Sequence, residues 1–328
     1  MNINLQKYDS LEVHEFIKVL DSVISILQKE ILGTSHIIGG KISSGLIELD
    51  KPENLVIVGD LHGDLQSLQQ ILKEIDYENF LSNRNNKLIF LGDYVDRGSH
   101  SIGVLYTVCY LKQKYQDSVI LMRGNHEAYM EFPFLAYDLP LKIIQCFGAE
   151  HEKTIYNKIS TLFQSLYLVA IIQNKLLLVH GGLPTEIEYN NFKKVIKTGQ
   201  LDNEHKKMLE ELLWNDPRII KNEECWEKSR RTYGRHFGID ITKRWLTMSK
   251  TEVLVRGHEP CNGFKIDHDD KVLTLFSCIE AYPKFYAAYI FISEKQLETI
   301  HNARDLILFI RRLGTFTKNV SKTAYPVE

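Results

Sequence analysis

The sequence lacks the cysteine pattern of a disulfide scaffold or of a thiolate metal site. Its five cysteines are odd in number and widely spaced, and none forms a Cys-x-x-Cys pair. Such a set excludes a regular disulfide framework and a zinc site built on paired cysteines. We therefore expect a reduced, cytoplasmic setting for this chain.

Long hydrophobic runs and a strong net charge are also missing. The longest apolar run, Leu166–Ile172, is too short to cross a bilayer, and the formal net charge is only −2. These features predict neither a membrane nor a nucleic-acid partner. Apolar residues nevertheless make up 44% of the 328 residues, which is enough to bury a sizeable core.

From residue 55 onward, apolar strands alternate with glycine turns and helical patterns. The runs Leu55–Val58, Leu88–Leu91 and Val119–Met122 are each followed by polar residues and glycine. This alternation indicates βαβ units on a parallel sheet, whereas Leu166–Ile172 and Leu176–Val179 are spaced like a hairpin. We predict an α/β fold with a central two-sheet β-sandwich flanked by helices.

Groups that bind metal ions follow the predicted strand ends. The candidate ligands are Asp60, His62, Asp93, Asn125, His180 and His258. Asp60 and His62 stand two residues apart, so in extended backbone both would face one ion. The carboxyl ends of neighbouring parallel strands meet at one edge of a sheet, where ligands bind. The sequence therefore predicts that these side chains converge.

The chemistry of this ligand set indicates the kind of metal. Carboxylate, amide and imidazole ligands without thiolates favour manganese, with iron or zinc as alternatives, and disfavour magnesium. The number of ligands predicts two divalent ions, with Asp93 as a bridge between them. Such a pair would share a water molecule and lower its pKa, which makes hydroxide available as a nucleophile.

Phosphate-binding and proton-donating groups occur in the same motifs. Arg97 lies four residues after Asp93, and a guanidinium suits bidentate binding of phosphate oxygens. Arg123 either serves the same purpose or pairs with a nearby carboxylate. His126 follows Asn125 and is placed to protonate a leaving oxygen, with Asp96 holding its ring in orientation.

Taken together, the motifs resemble those of the phosphoprotein phosphatase family of metal-dependent serine/threonine phosphatases. The matching blocks are Gly59–Gly63, Gly92–Gly98, Arg123–Glu127, His180–Leu183, Leu212–Pro217 and Arg256–His258. The resemblance implies the calcineurin-like metallophosphoesterase fold. It implies one ion held by Asp60, His62 and Asp93. The second ion would be held by Asp93, Asn125, His180 and His258.

The resemblance also implies the remaining site residues. Arg231 would be a second phosphate ligand, with Arg230 and Arg235 as alternatives, and Asp216 would support the active-site groove. His126 with Asp96 would be the general-acid pair.

The implied activity is hydrolysis of phosphoserine and phosphothreonine in proteins by direct attack of a two-metal-activated hydroxide. The alternatives are hydrolysis of dinucleoside polyphosphates or other small phosphate esters, and a phosphatase that also accepts phosphotyrosine. The Leu-Trp-x-Asp-Pro block at 213–217 favours the protein phosphatase, because related small-ester hydrolases generally lack it. A non-enzymatic binding module is disfavoured, because no ligand is missing.

Two departures from the family pattern stand out. Asp64 occupies a position where eukaryotic members usually carry Gln, a feature more similar to archaeal or bacterial members. The segment 277–281 differs from the usual loop and puts Ala281 at the usual tyrosine position, with Tyr282 next to it. We expect inhibitor sensitivity and substrate preference to differ accordingly.

The motifs also suggest a division of the chain. We predict a helical extension over residues 1–50 packed on the core, a metallophosphatase catalytic domain over 51–295, and a C-terminal tail over 296–328. The tail is polar and includes Arg311, Arg312 and Lys318.

Overall fold

The computed structural model describes residues 11–33, 36–186, 203–220 and 225–314. A seven-stranded sheet forms one layer. In order across the sheet its strands are β1 (Gly40–Ser43), β2 (Leu46–Leu49), β6 (Val169–Ile172), β7 (Leu176–Val179), β11 (Val253–Arg256), β13 (Val272–Leu275) and β12 (Phe264–Asp267).

A five-stranded sheet forms the second layer, and a third, smaller sheet has three short strands. The five-stranded order is β15 (Ile310–Arg312), β14 (Ala288–Ser293), β3 (Asn54–Val58), β4 (Lys87–Phe90) and β5 (Val119–Leu121). The three-stranded order is β8 (Asp216–Pro217), β10 (Arg235–Phe237) and β9 (Trp226–Lys228).

Ten α-helices and two short 3₁₀ turns lie in the described ranges. They are α1 (Val13–Ile31), α2 (Leu65–Glu74), α3 (Tyr77–Ser82), α4 (Ser101–Lys114), α5 (Leu139–Phe147), α6 (Ala149–Gln164), α7 (Asn203–Trp214), α8 (Ile239–Ser249), α9 (Glu294–Glu298) and α10 (Ala303–Leu306), with 3₁₀ turns at His126–Ala128 and Ile307–Phe309. None of these helices combines the length and apolar character that a membrane span requires.

The alternation of side chains along β7 shows how the layers pack. Leu176 and Leu178 face the cluster shared with the five-stranded sheet, whereas Leu177 and Val179 face a second cluster built with α7 and α8. Successive residues of a strand point to opposite faces, so one strand serves two cores. The predicted two-sheet sandwich flanked by helices is confirmed.

The N-terminal segment is tied into this core. Phe16 and Leu20 of α1 are fully buried, and each such side chain contributes about 1.5–3 kcal/mol. The buried carboxylate of Glu30 accepts hydrogen bonds from Lys112 Nζ at 2.8 Å and from Tyr167 Oη at 2.5 Å. Strands β1 and β2, which sequence patterning did not reveal, add this segment to the larger sheet.

The other end of the chain is also structured as far as it is described. Helices α9 and α10 and strand β15 follow residue 293, and β15 pairs antiparallel with β14. Residues 315–328 of the predicted tail, Lys318 among them, lie outside the described residues.

Candidate metal centre

The candidate metal ligands gather at one edge of the sandwich, where parallel strands end. Strands β3, β4 and β5 run parallel, and so do β7, β11 and β13. An isolated parallel bridge between Asp60 and Phe276 joins the two sheets at this edge. The residues Asp60, His62, Asp93, Asn125, His180 and His258 are each at most 4% exposed.

Several of these residues have an unusual backbone conformation. The φ angles of His62, Asp93 and His258 are +44°, +54° and +70°, and those of Asp96 and Arg97 are +66° and +70°. Left-handed backbone is costly for residues other than glycine and concentrates at functional sites. Our reason for pairing Asp60 with His62, an extended backbone, is therefore wrong, because the chain turns sharply at His62.

The side chains of Asp60, His62 and Asp93 nevertheless face one another. His62 Nε2 lies 3.8 Å from Asp60 Oδ2 and 3.6 Å from Asp93 Oδ2. His62 Nδ1 contacts the carbonyl of Val95 at 3.1 Å, which leaves Nε2 directed at the carboxylates. These three groups form the first half of the candidate centre.

The second half surrounds the other oxygen of Asp93. His180 Nε2 lies 3.4 Å from Asp93 Oδ1 and 3.0 Å from Asn125 Oδ1. His258 Nδ1 lies 2.8 Å from the same Asn125 oxygen. Because its two oxygens face different groups, Asp93 lies between the two halves of the candidate centre.

The electrostatics of the cluster suit cations. Burial, and then the charge of Asp93, raises the pKa of Asp60 to about 6. Burial alone would lower the pKa of His180, but Asp93 raises it to about 9. Without a cation, Asp60 and His180 thus keep protons that balance the negative charge of the buried carboxylates. A bound divalent cation would supply the same positive charge.

Two further features fit bound ions. Asp60 Oδ2 is buried and has no hydrogen-bond partner, which costs free energy unless a cation binds that oxygen. A Cβ atom at position 257 would lie 2.3 Å from Asp60 Oδ1, so only glycine leaves room for the carboxylate. The residues present therefore fit a pair of divalent cations.

His126 lies beside the cluster and is paired with Asp96. Its Nδ1 is 2.6 Å from Asp96 Oδ2, and Asp96 Oδ1 accepts hydrogen bonds from the backbone N–H groups of Asp138 and Leu139 at the start of α5. Burial would lower the pKa of His126, but Asp93 and the hydrogen bond to Asp96 raise it. His126 is also near enough to His62 and Asp93 to belong to a metal-binding group. Its attachment to Asp96 favours a role in proton transfer.

The three arginines considered for phosphate binding differ in their surroundings. Arg97 is exposed at the rim of the cluster. Arg231 is anchored by Asp216 Oδ2 at 3.0 Å and, after burial, its charge is the main cause of a lowered pKa at His258. Arg123 is buried and donates to the carbonyl of Glu127 and, at 2.8 Å, to Glu131. Of the two interpretations left open for Arg123, the structure supports the ion pair.

Of the alternatives to Arg231, Arg230 is exposed and Arg235 is engaged by other groups. Arg235 stacks on Trp226, with its Cζ atom 3.5 Å from the ring centroid, and pairs with Glu186 at 2.8 Å. The geometry therefore favours Arg231 as the arginine facing the cluster.

Sequence reasoning missed two supporting residues. Glu127 accepts hydrogen bonds from the backbone N–H groups of Asp93, Tyr94 and Gly124 at 2.7, 2.9 and 2.9 Å. Arg256, fully buried, donates at 2.8 Å to both Asp216 and Glu259. Both residues lie inside motifs that the sequence analysis identified. The signal that could have pointed to them is a charged residue close to a predicted metal ligand.

The aromatic residue over the cluster is Tyr282. Its ring centroid lies 6.2 Å from that of His62, and its hydroxyl accepts a hydrogen bond from Arg97. The residue at this place is therefore Tyr282 and not Ala281, which a gapless alignment of the loop puts there. The loop forms a turn here, in which the Tyr282 N–H donates a hydrogen bond to the Ile279 carbonyl at 3.0 Å.

Comparisons with known proteins agree with this fold. The calcineurin-like phosphoesterase family matches residues 54–262. The chain is 31% identical over 270 residues to a protein phosphatase 2A catalytic subunit of Dictyostelium discoideum, covering 79% of this chain and 81% of the relative. It is 30% identical over 289 residues to a probable serine/threonine-protein phosphatase of Encephalitozoon cuniculi, covering 84% of this chain and 59% of the relative.

A solved structure shows the same fold. A protein serine/threonine phosphatase from Saccharomyces cerevisiae superposes with a TM-score of 0.67 at 23% identity, covering 86% of this chain and 83% of the other. This chain belongs to the calcineurin-like phosphoesterase family, among its phosphoprotein phosphatases, which confirms the resemblance found in the motifs. Some relatives are much longer, and the chain covers only 40% of the mouse serine/threonine-protein phosphatase with EF-hands 1.

Proposed function

We propose that this protein is a metal-dependent protein serine/threonine phosphatase. The observation that carries the proposal is the position of Asp93, with one oxygen toward His62 and the other toward His180, beside the His126–Asp96 pair. The named activities of its relatives support the same conclusion. Phosphorylated proteins would be its partners, and its location would be cytoplasmic.

Two divalent ions, manganese first and iron or zinc as alternatives, would be held by two ligand sets that share one residue. The first set is Asp60, His62 and Asp93, and the second is Asp93, Asn125, His180 and His258. When bound, the cations supply Lewis acidity, which lowers the pKa of water and neutralises phosphate charge.

The protein's own groups would bind the phosphate and move the proton. Arg97 and Arg231 would hold phosphate oxygens through their guanidinium groups. The bond between phosphorus and the seryl or threonyl oxygen breaks as the oxygen of a water molecule, which gives up one proton to solvent, bonds to phosphorus. His126 gives its proton to the leaving oxygen, and Asp96 keeps the ring oriented throughout.

Initial rates on three substrates test this proposal. With manganese, we expect a phosphoserine peptide to be hydrolysed faster than a phosphotyrosine peptide or diadenosine tetraphosphate. If either of the other two substrates is hydrolysed faster than the phosphoserine peptide, the proposed substrate class is wrong and the class of the faster substrate replaces it.

Metal analysis tests the ligand sets. Purified protein should carry about two divalent ions per chain, and Asp93→Asn should reduce both. Asp117→Asn is a matched control, because Asp117 pairs with Arg84 at the surface. Unchanged metal content in Asp93→Asn would refute the proposed bridge.

A further inference from the structure

Asp64 closes the first motif and caps the helix that follows it. Its Oδ1 accepts a hydrogen bond from Ser67 N at 2.9 Å, and its Oδ2 accepts one from Ser67 Oγ at 2.7 Å. The side chain is buried, with only 1% of its surface exposed. This much is the ordinary chemistry of an N-cap at α2.

The same carboxylate also holds the divergent loop. Asp64 Oδ2 accepts hydrogen bonds from the backbone N–H groups of Ile279 at 2.7 Å and Glu280 at 2.8 Å. The two departures from the family pattern, at position 64 and at 277–281, are therefore one structural unit in this protein.

Only a carboxylate satisfies all of these donors. Every group facing Asp64 in these contacts is a donor: the N–H and hydroxyl of Ser67 and the N–H groups of Ile279 and Glu280. A carboxamide has one oxygen and one NH₂ group, so in either orientation it presents a donor to a donor. In its better orientation a carboxamide keeps its oxygen toward the loop and loses the hydrogen bond from Ser67 N, so breaking the loop contacts requires removal of the side chain.

The loop held by Asp64 carries Tyr282 to Arg97. The Tyr282 hydroxyl accepts a hydrogen bond from the Arg97 guanidinium, whose Cζ atom lies 5.8 Å from the ring centroid. Glu280 adds a second attachment, because its carboxylate accepts from Ser99 Oγ at 2.6 Å. Arg97 itself is exposed, so this contact restricts a side chain that is otherwise free to move in solvent.

We infer that Asp64 is a positioning residue, which acts through the loop and Tyr282 to place the Arg97 guanidinium for binding the phosphate. The inference rests on the proposed role of Arg97. It makes Asp64 a determinant of phosphate affinity and not only a helix cap.

Kinetics on p-nitrophenyl phosphate with manganese test this inference, since the ester offers little beyond its phosphate. Asp64→Ala and Tyr282→Phe should each raise KM about tenfold, as expected for one lost hydrogen bond to a charged group. Their kcat values should stay within about twofold of wild type, because uniform binding is lost. The KM of the double variant should be no higher than the larger of the two single-variant values, since both changes act through the same contact.

Ser67→Ala is the matched control for helix capping. It removes one hydrogen bond to Asp64 on the helix side and leaves both loop contacts in place. We expect it to lower thermal stability with KM unchanged. If Asp64→Ala likewise lowers stability and leaves KM unchanged, or if its effect adds fully to that of Tyr282→Phe, the inference is overturned.

Two measurements without turnover separate this inference from the proposed function. In Asp64→Ala, which removes both acceptor oxygens, amide hydrogen exchange at Ile279 and Glu280 should become faster than in wild type. Calorimetric titration of inorganic phosphate into the manganese-loaded variant should give a dissociation constant about tenfold larger than that of wild type. If wild type hydrolyses no ester, the proposed function fails, but these two results still decide the role of Asp64.

Discussion

Replacing Glu127 with Gln tests how the candidate centre is supported. One Glu127 oxygen, Oε2, accepts from the N–H groups of Asp93 and Gly124, and Oε1 accepts from Tyr94. The best placement of a Gln keeps its oxygen toward Asp93 and Gly124 and turns its NH₂ group toward the Tyr94 N–H. One buried donor then loses its acceptor, which costs about 1–3 kcal/mol in the free energy of unfolding.

The same change should reduce activity. Glu127 holds the backbone on which the proposed bridging residue Asp93 stands, at a strained φ of +54°. Loosening that segment misplaces Asp93, and a displacement on the order of 1 Å costs up to about 10²-fold in rate. We therefore expect Glu127→Gln to lower kcat by about 10- to 10²-fold.

Urea unfolding followed by circular dichroism, together with initial rates, measures both effects. Glu78→Gln is the control, because Glu78 is a carboxylate that pairs with Lys114 at the surface. Its loss should cost no more than about 1 kcal/mol. If Glu127→Gln matches this control in both stability and kcat, the supporting role assigned to Glu127 is refuted.

Three further predictions concern the cluster itself. His126→Asn should lower kcat by about 10²- to 10⁴-fold with metal content unchanged, and normal turnover in this variant would show that another group protonates the leaving oxygen. In metal-free protein, the contributions of Asp60 and His180 to stability should fall as pH rises: the pKa of Asp60 is raised from 3.8 to about 6 and that of His180 from 6.5 to about 9, so in both cases the folded state holds a proton that the unfolded state has released. Urea midpoints of chelated protein between pH 4 and 6 check this by comparison with Asp60→Asn, whose midpoint should change more favourably with rising pH than that of wild type; equal slopes would contradict the assignment. Gly257→Ala should lose bound metal, because its new methyl group would meet Asp60 Oδ1 at 2.3 Å, whereas Gly314→Ala, with nothing within 4 Å, should keep it; inductively coupled plasma mass spectrometry measures the difference.

Much of the fold could be predicted from local patterns. The alternation of apolar runs and helices from residue 55 predicted βα units, and parallel strands must end at one edge. That rule is enough to bring groups following β3 and β4, such as Asp60 and Asp93, to the same place. Strands β1 and β2 escaped prediction because they are short, and pairing decides them more than their own pattern does: β2 pairs with β6 of the larger sheet, and β1 pairs with β2.

What the sequence by itself determined is the chemistry available at the edge of the sandwich: which strand ends carry carboxylate, amide and imidazole groups, in which order. Only the tertiary structure decided how those groups are held. The turn at His62, the three N–H groups gathered by Glu127 and the reach of Asp64 to Ile279 all depend on contacts between distant segments. These hydrogen bonds join segments that are far apart in the sequence, so they depend on the packing of the whole domain. Which residues stand at the ends of strands, in contrast, follows from the local sequence pattern.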